Sequence, residues 1–176
     1  MPAPIPPDLQ HVVVMGVAGS GKTTVAQGLA AGLGWTYAEA DDFHPPANVA
    51  KMAAGTPLTD DDRAPWLQAI RDWMTEQHEA GRRTIVTCSA LRRPYRDVLR
   101  QARGAVVFVH LRGSAATIAE RMERRTDHFM PPSLLPSQFA TLEPLADDEA
   151  GVVIDVDDTA AEIVARIERD LALAAR

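Results

Sequence analysis

Cysteine and lysine are among the scarcest residues of this chain. One cysteine, Cys88, stands in 176 residues, so no internal disulfide can form. Ile85, Val86 and Thr87 precede it, and a thiol in such apolar, strand-like company is buried and inert. No apolar stretch approaches the roughly 20 residues that span a bilayer. The opening Met1-Pro2-Ala3-Pro4-Ile5-Pro6-Pro7 has neither a basic segment nor an apolar core, which argues against a signal peptide. Residues 1–10 read as a disordered lead-in to one domain over residues 11–176. A cytoplasmic location without membrane contact is the expectation. An excess of basic charge is lacking too. With 18 Lys+Arg against 24 Asp+Glu the net charge is -6, so there is no global footprint for nucleic acid.

Only two of the basic residues are lysines, Lys22 and Lys51; the rest are arginines. In so arginine-rich a chain a retained lysine hints at a place where a compact ammonium is needed. Lys22 has such a place. Lys51 is either a second site residue or a chance surface lysine.

Lys22 belongs to Gly16-Val17-Ala18-Gly19-Ser20-Gly21-Lys22-Thr23, of the form G-x-x-x-x-G-K-[ST]. The run follows the apolar Val12-Val13-Val14-Met15 and opens a helical pattern at Thr24, the context this phosphate-binding loop requires. Its glycines let backbone N–H groups turn inward around phosphate oxygens, and the helix N-terminus adds positive potential. Lys22 reaches the β- and γ-phosphates, and the Thr23 hydroxyl is a Mg²⁺ ligand. Gly16 through Thr24 are therefore the expected ATP-binding residues.

Apolar runs and helical patterns alternate along the chain. Strands are expected over 11–15, 36–38, 84–88, 105–111 and 151–156. Helices are expected over 22–33, 63–80, 95–102, 114–124, 136–142 and 160–174. Val12-Val13-Val14, Val106-Val107-Phe108-Val109 and Val152-Val153-Ile154 are continuous rather than alternating, as in strands buried on both faces of a parallel sheet. The expected fold is α/β: a three-layer, P-loop NTPase-type domain with a five-stranded parallel sheet and helices on both faces. In the helix over 63–80, Asp60, Asp61 and Asp62 suit the N-terminus and Pro65 falls in the first turn. Trp66, Ile70, Trp73 and Met74 form its core stripe, and Gly81 ends it.

Acidic residues follow the second strand at the carboxyl edge of the sheet, where open α/β sheets bind ligands. Asp41 is the candidate catalytic base that takes a proton from an acceptor hydroxyl. Glu39, two residues earlier, is placed to hold a Mg²⁺-bound water. His44 is either a substrate hydrogen-bond donor or a loop-packing histidine. No Walker-B aspartate ends the third strand, so Mg²⁺ rests on Thr23, phosphates and waters, with Glu39 or Asp41 assisting.

The chain resembles the bacterial-type gluconokinases, which are P-loop small-molecule kinases. The resemblance is carried by Gly16–Thr23, by Glu39-Ala40-Asp41-Asp42-Phe43-His44-Pro45-Pro46-Ala47-Asn48, and by Lys51-Met52 with Gly55 to Arg63 and Pro65-Trp66-Leu67. It continues through Cys88-Ser89-Ala90-Leu91, Tyr95-Arg96-Asp97, Arg121 to Arg125, His128-Phe129, Gln138-Phe139 and Leu142-Glu143-Pro144. The stretch from Lys51 to Leu67 and the Cys88–Leu91 motif separate this family from shikimate and nucleoside monophosphate kinases.

The resemblance implies ATP- and Mg²⁺-dependent phosphorylation of D-gluconate to 6-phospho-D-gluconate, feeding the pentose phosphate or Entner-Doudoroff route. It implies acceptor contacts from Asp41, His44, Lys51, Arg63, Ser89, Arg92, His128 and Gln138. Arg63 alternatively partners the nearby aspartates as part of a helix cap. The resemblance also makes residues 121–135 a mobile lid, with Arg125 closing on the phosphates as a catalytic cation and Arg121 against adenine. Pairing of Arg121, Arg124 and Arg125 with Glu120 and Glu123 on a solvated helix face is the alternative. A homodimer is implied by the family alone.

Overall fold

The computed structural model describes residues 3–123 and 135–173. Five strands form one all-parallel sheet: β1 (Leu9–Met15), β2 (Thr36–Glu39), β3 (Thr84–Thr87), β4 (Ala105–Arg112) and β5 (Gly151–Asp155), in the order β2-β3-β1-β4-β5. The helices described are α1 (Lys22–Leu33), α2 (Pro46–Ala53), α3 (Asp60–Glu79), α4 (Arg93–Arg100), α5 (Ala115–Glu123), α6 (Leu135–Thr141) and α7 (Ala160–Asp170), with a 3₁₀ turn at Ala40–Phe43.

The continuous apolar runs fill two cores at once, because successive strand side chains point to opposite faces. Val12 and Val14 of β1 join Val107 and Val109 of β4 in a core with α1 and α7. Val13 and Met15 join Phe108 in the opposite core, with α3 and α4. The layers are helix, sheet, helix, as expected. Gly28 of α1 permits the close approach of α7, since a Cβ there would meet Val164 Cγ2 at 3.1 Å. No described helix is long and apolar enough to cross a membrane.

Several boundaries differ from the sequence expectation. The lead-in is tied to the fold: Ala3 bridges Ala150, Ile5 packs on the core, and β1 begins at Leu9. Cys88 is buried just beyond β3, and burial pushes its thiol up to about 12. The largest correction is at α3. It starts at Asp60, behind a capping box in which Thr59 Oγ1 accepts from Asp62 N (3.1 Å) and Asp62 Oδ2 accepts from Thr59 N (2.9 Å). Pro65 therefore lies in the second turn and not the first. The expected loop after β2 contains α2, with Pro46 in its first turn.

Candidate active site

The phosphate loop joins β1 to α1 at the carboxyl edge of the sheet. Gly19 lies at φ 80°, and a Cβ there would sit 2.5 Å from Met122 Cγ, so glycine is required for both shape and space. Lys22 Nζ donates to the carbonyls of Gly16 and Val17, at 3.0 Å each, which holds the ammonium over the loop. The Thr23 hydroxyl donates to Glu39 Oε1 at 2.8 Å, and the Tyr37 hydroxyl bonds the other Glu39 oxygen. Glu39 thus arrives beside Thr23 because β2 ends at the level of the loop.

A cleft of about 680 Å³ runs from this loop across the sheet edge. Its lining brings together Ala18, Gly19, Gly21, Lys22 and Thr23 of the loop, Arg63, Arg92 and Tyr95, and Glu39, Asp41, His44 and Ser89. Asp41 is an exposed residue of the cleft lining, yet neighbouring groups displace part of the water around its carboxyl. That desolvation raises its pKa above the usual carboxylate value; Lys22 opposes the rise and Glu39 adds to it.

His44 stacks on Trp66 with ring centroids 4.1 Å apart, and Trp66 Nε1 donates to Ala40 O at 2.7 Å. Burial, with Arg63 nearby, lowers the His44 pKa to about 4. At neutral pH it is an uncharged hydrogen bonder.

Another part of the cleft lining is built around Tyr95 from α4. Its hydroxyl donates to Asp60 Oδ1 (2.5 Å) and accepts from Arg63 Nη1 (3.0 Å). The guanidinium groups of Arg63 and Arg92 lie 5.1 and 5.7 Å from the centre of the Tyr95 ring. Arg92 also bonds Asp60 Oδ2 at 3.2 Å and Glu143 Oε1 at 3.3 Å. Arg63 and Arg92 about Tyr95 place two guanidinium forks, partnered here by Asp60 and Glu143, in a planar arrangement that suits a carboxylate.

The sequence profile of the AAA domain family matches residues 12–145. The gluconokinase of Gluconobacter oxydans (strain 621H) is 58% identical over 140 residues, covering 80% of this chain and 79% of that protein. The chain belongs to the gluconokinase family. Among solved structures, a gluconokinase from Sinorhizobium meliloti 1021 superposes with a TM-score of 0.84 at 47% identity, over 93% of this chain and 91% of that one. A sugar kinase from Janibacter sp. HTCC2649 gives a TM-score of 0.91 at 52% identity, over 94% and 96%.

Within this gluconokinase-family fold, Asp41, His44, Arg63, Ser89, Arg92 and Gln138 all line the cleft with the phosphate loop. Gln138, expected at the acceptor, reaches the phosphate loop, where its Oε1 accepts from Ala18 N at 2.6 Å. Lys51 does not line the cleft. Its ammonium pairs with Asp62 Oδ2 at 2.7 Å, beside the cap of α3. Arg121 donates to Val156 O at 2.5 Å, beyond β5. Arg125, His128 and most of the expected lid lie outside the described residues.

Tyr95, Asp60 and Glu143 were not expected as site residues. Tyr95 and Glu143 stand in family-matching stretches without a chemical cue of their own, and Asp60 reads as one more acidic residue at a helix start.

Proposed function

We propose that this chain transfers the γ-phosphoryl group of ATP to the terminal hydroxyl of D-gluconate, giving 6-phospho-D-gluconate and ADP. The observation that carries the reading is the single cleft. A phosphate loop and an arginine pair on the lining of one cleft suit a phosphoryl donor and a polyhydroxy carboxylate, with Asp41 on the same lining.

The amides of Gly16 to Thr24 and the Lys22 ammonium hold the phosphates. Arg63 and Arg92 bind the gluconate carboxylate, and His44, Ser89 and Gln138 serve its hydroxyls. Asp41 accepts the proton as the hydroxyl oxygen bonds to the γ-phosphorus and the bond to the β–γ bridging oxygen breaks. Its raised pKa makes it a better base than an ordinary carboxylate.

The donor set at Thr23 is all oxygen, its hydroxyl 2.8 Å from Glu39, and this fits a hard divalent cation. Thr23 would hold Mg²⁺ directly and Glu39 through a water, and the ion would supply charge neutralisation on the β- and γ-phosphates. Arg125 and His128 enter this reading by family resemblance, Arg125 on the transferring phosphoryl group and His128 on the acceptor. Arg121 beside adenine, a homodimer and a cytoplasmic location belong to the same reading. Sedimentation velocity tests the dimer.

The decisive measurement is ADP release from ATP and Mg²⁺ with D-gluconate, shikimate or D-glucose. Stimulation by gluconate alone is expected. Equal rates in every mixture would refute the acceptor assignment.

A further inference from the structure

Behind the cleft, the turn at Cys88-Ser89-Ala90-Leu91 holds Ala90 at φ 45°, in the left-handed region that disfavours any residue with a Cβ. Ala90 is also buried. Such a conformation lasts only where its surroundings over-determine it. Here Cys88 N donates to Val14 O (3.0 Å), Gly16 N to Ser89 O (3.3 Å) and Glu143 N to Leu91 O (2.7 Å). The Ala90 carbonyl itself accepts from Arg96 Nη1 at 2.9 Å.

Arg96 is a fully buried arginine that does not line the cleft. Its guanidinium also donates to Glu143 O (3.1 Å) and Pro144 O (3.4 Å), and its Nε lies 3.1 Å from the carboxylate of the equally buried Glu149. Glu149 accepts from Ala146 N at 3.2 Å as well. One planar cation thus fastens the turn after β3 to the segment that follows α6. Both segments matter to the acceptor end: Ser89 and Arg92 line the cleft, and Glu143 holds the Arg92 head.

We propose that Arg96, with Glu149 as its counter-ion, is a positioning residue for the acceptor: it fixes the Ala90 turn and the Glu143 backbone in one frame, so that Ser89 and Arg92 meet the substrate correctly placed. A lysine cannot reproduce this, because a point charge lacks the fork that reaches several carbonyls and a carboxylate together. The inference rests on gluconate being the acceptor.

The test compares wild type, Arg96→Lys and Glu149→Gln, each shown to be folded by circular dichroism. The readouts are KM for gluconate, KM for ATP and kcat. Arg96→Lys is expected to raise the gluconate KM by about ten-fold or more while the ATP KM stays within about two-fold, because displaced acceptor groups leave the phosphate loop intact. Adding Ala90→Gly to Arg96→Lys is expected to restore part of that loss, since glycine takes φ 45° without a Cβ penalty.

Unchanged KM values in folded Arg96→Lys, or equal rises for both substrates, would overturn the proposal. If Arg96→Lys does not accumulate as folded protein, Glu149→Gln, which keeps an oxygen against Arg96, carries the same comparison. Failure of the wild type to use gluconate would instead overturn the acceptor assignment on which the proposal stands, so the two failures are distinguishable.

Discussion

Asp41 and Tyr95 divide the chemistry of the cleft at the level of single side chains. Asp41 is exposed on the cleft lining, and desolvation of its carboxyl raises its pKa, with Lys22 holding the rise in check. Replacing it with asparagine removes the proton acceptor and leaves the phosphate loop untouched. Asp41→Asn is expected to lower kcat by about 10²- to 10⁴-fold with ATP affinity retained, read by steady-state kinetics and an equilibrium nucleotide titration. Tyr95 acts on binding. Its hydroxyl links Arg63 to Asp60, while its ring lies against two guanidinium groups. Tyr95→Phe keeps the ring and loses the link, which costs about 1 kcal/mol, or roughly five-fold in gluconate KM, with kcat and the ATP KM nearly unchanged. A loss confined to kcat would instead place Tyr95 at the reacting atoms.

At the scale of elements, the parts buried on both faces were the most legible. Val12-Val13-Val14 can only be continuous because one strand feeds two cores, and the sheet follows from such runs. The ends of α2 and α3 were harder, because proline has two meanings. Pro46 opens α2, a helix absent from the sequence expectation, while Pro65 reads as a first-turn residue but lies a full turn inside α3. The stronger start signal was Thr59 three residues before Asp62, a capping box with aspartate in place of the usual Glu or Gln. Lys51 meets the same box. Its ammonium is the leading cause that holds the Asp62 pKa down at about 2, with the Thr59 backbone amide second. The acceptor end was legible only in part: Arg63 and Arg92 follow from the charge a carboxylate needs, but Asp60 and Tyr95 meet only because α3 and α4 pack together. Thr59→Ala removes one half of the box and is expected to cost about 1 kcal/mol, seen as a lower urea midpoint with an unchanged slope. A change in slope would point to a wider loss of structure than a frayed helix end.

For the whole molecule, acid is the condition under which these local choices add up. His11, His44 and His110 all have pKa values lowered from 6.5, the last two to about 4, with burial as the first cause in each. The unfolded chain therefore binds protons that the native state refuses, and stability declines as pH falls from about 6.5 toward 4. Asp60, Asp62, Glu143, Asp148 and Asp155 have lowered values too, so the stability they contribute is present above pH 4 and is lost below it. Asp41, with its raised value, works in the opposite direction. Urea midpoints are expected to be flat between about pH 7 and 8, to fall through the histidine window, and to fall again at lower pH. His110 is the group best placed to test the first fall. It is 3% exposed, its Nδ1 has no hydrogen-bond partner among the described residues, and Arg112, Arg96 and Lys22 oppose its protonation. A shift of that size is worth at most about 3 kcal/mol. His110→Leu removes the titrating group and an unsatisfied nitrogen together, so it should make the fall between pH 6.5 and 4 shallower without lowering the midpoint at pH 7, the remainder belonging to His11 and His44. An acid limb as steep as that of the wild type would assign the first fall to His11 and His44 alone, whose ring nitrogens are hydrogen-bonded in the native state.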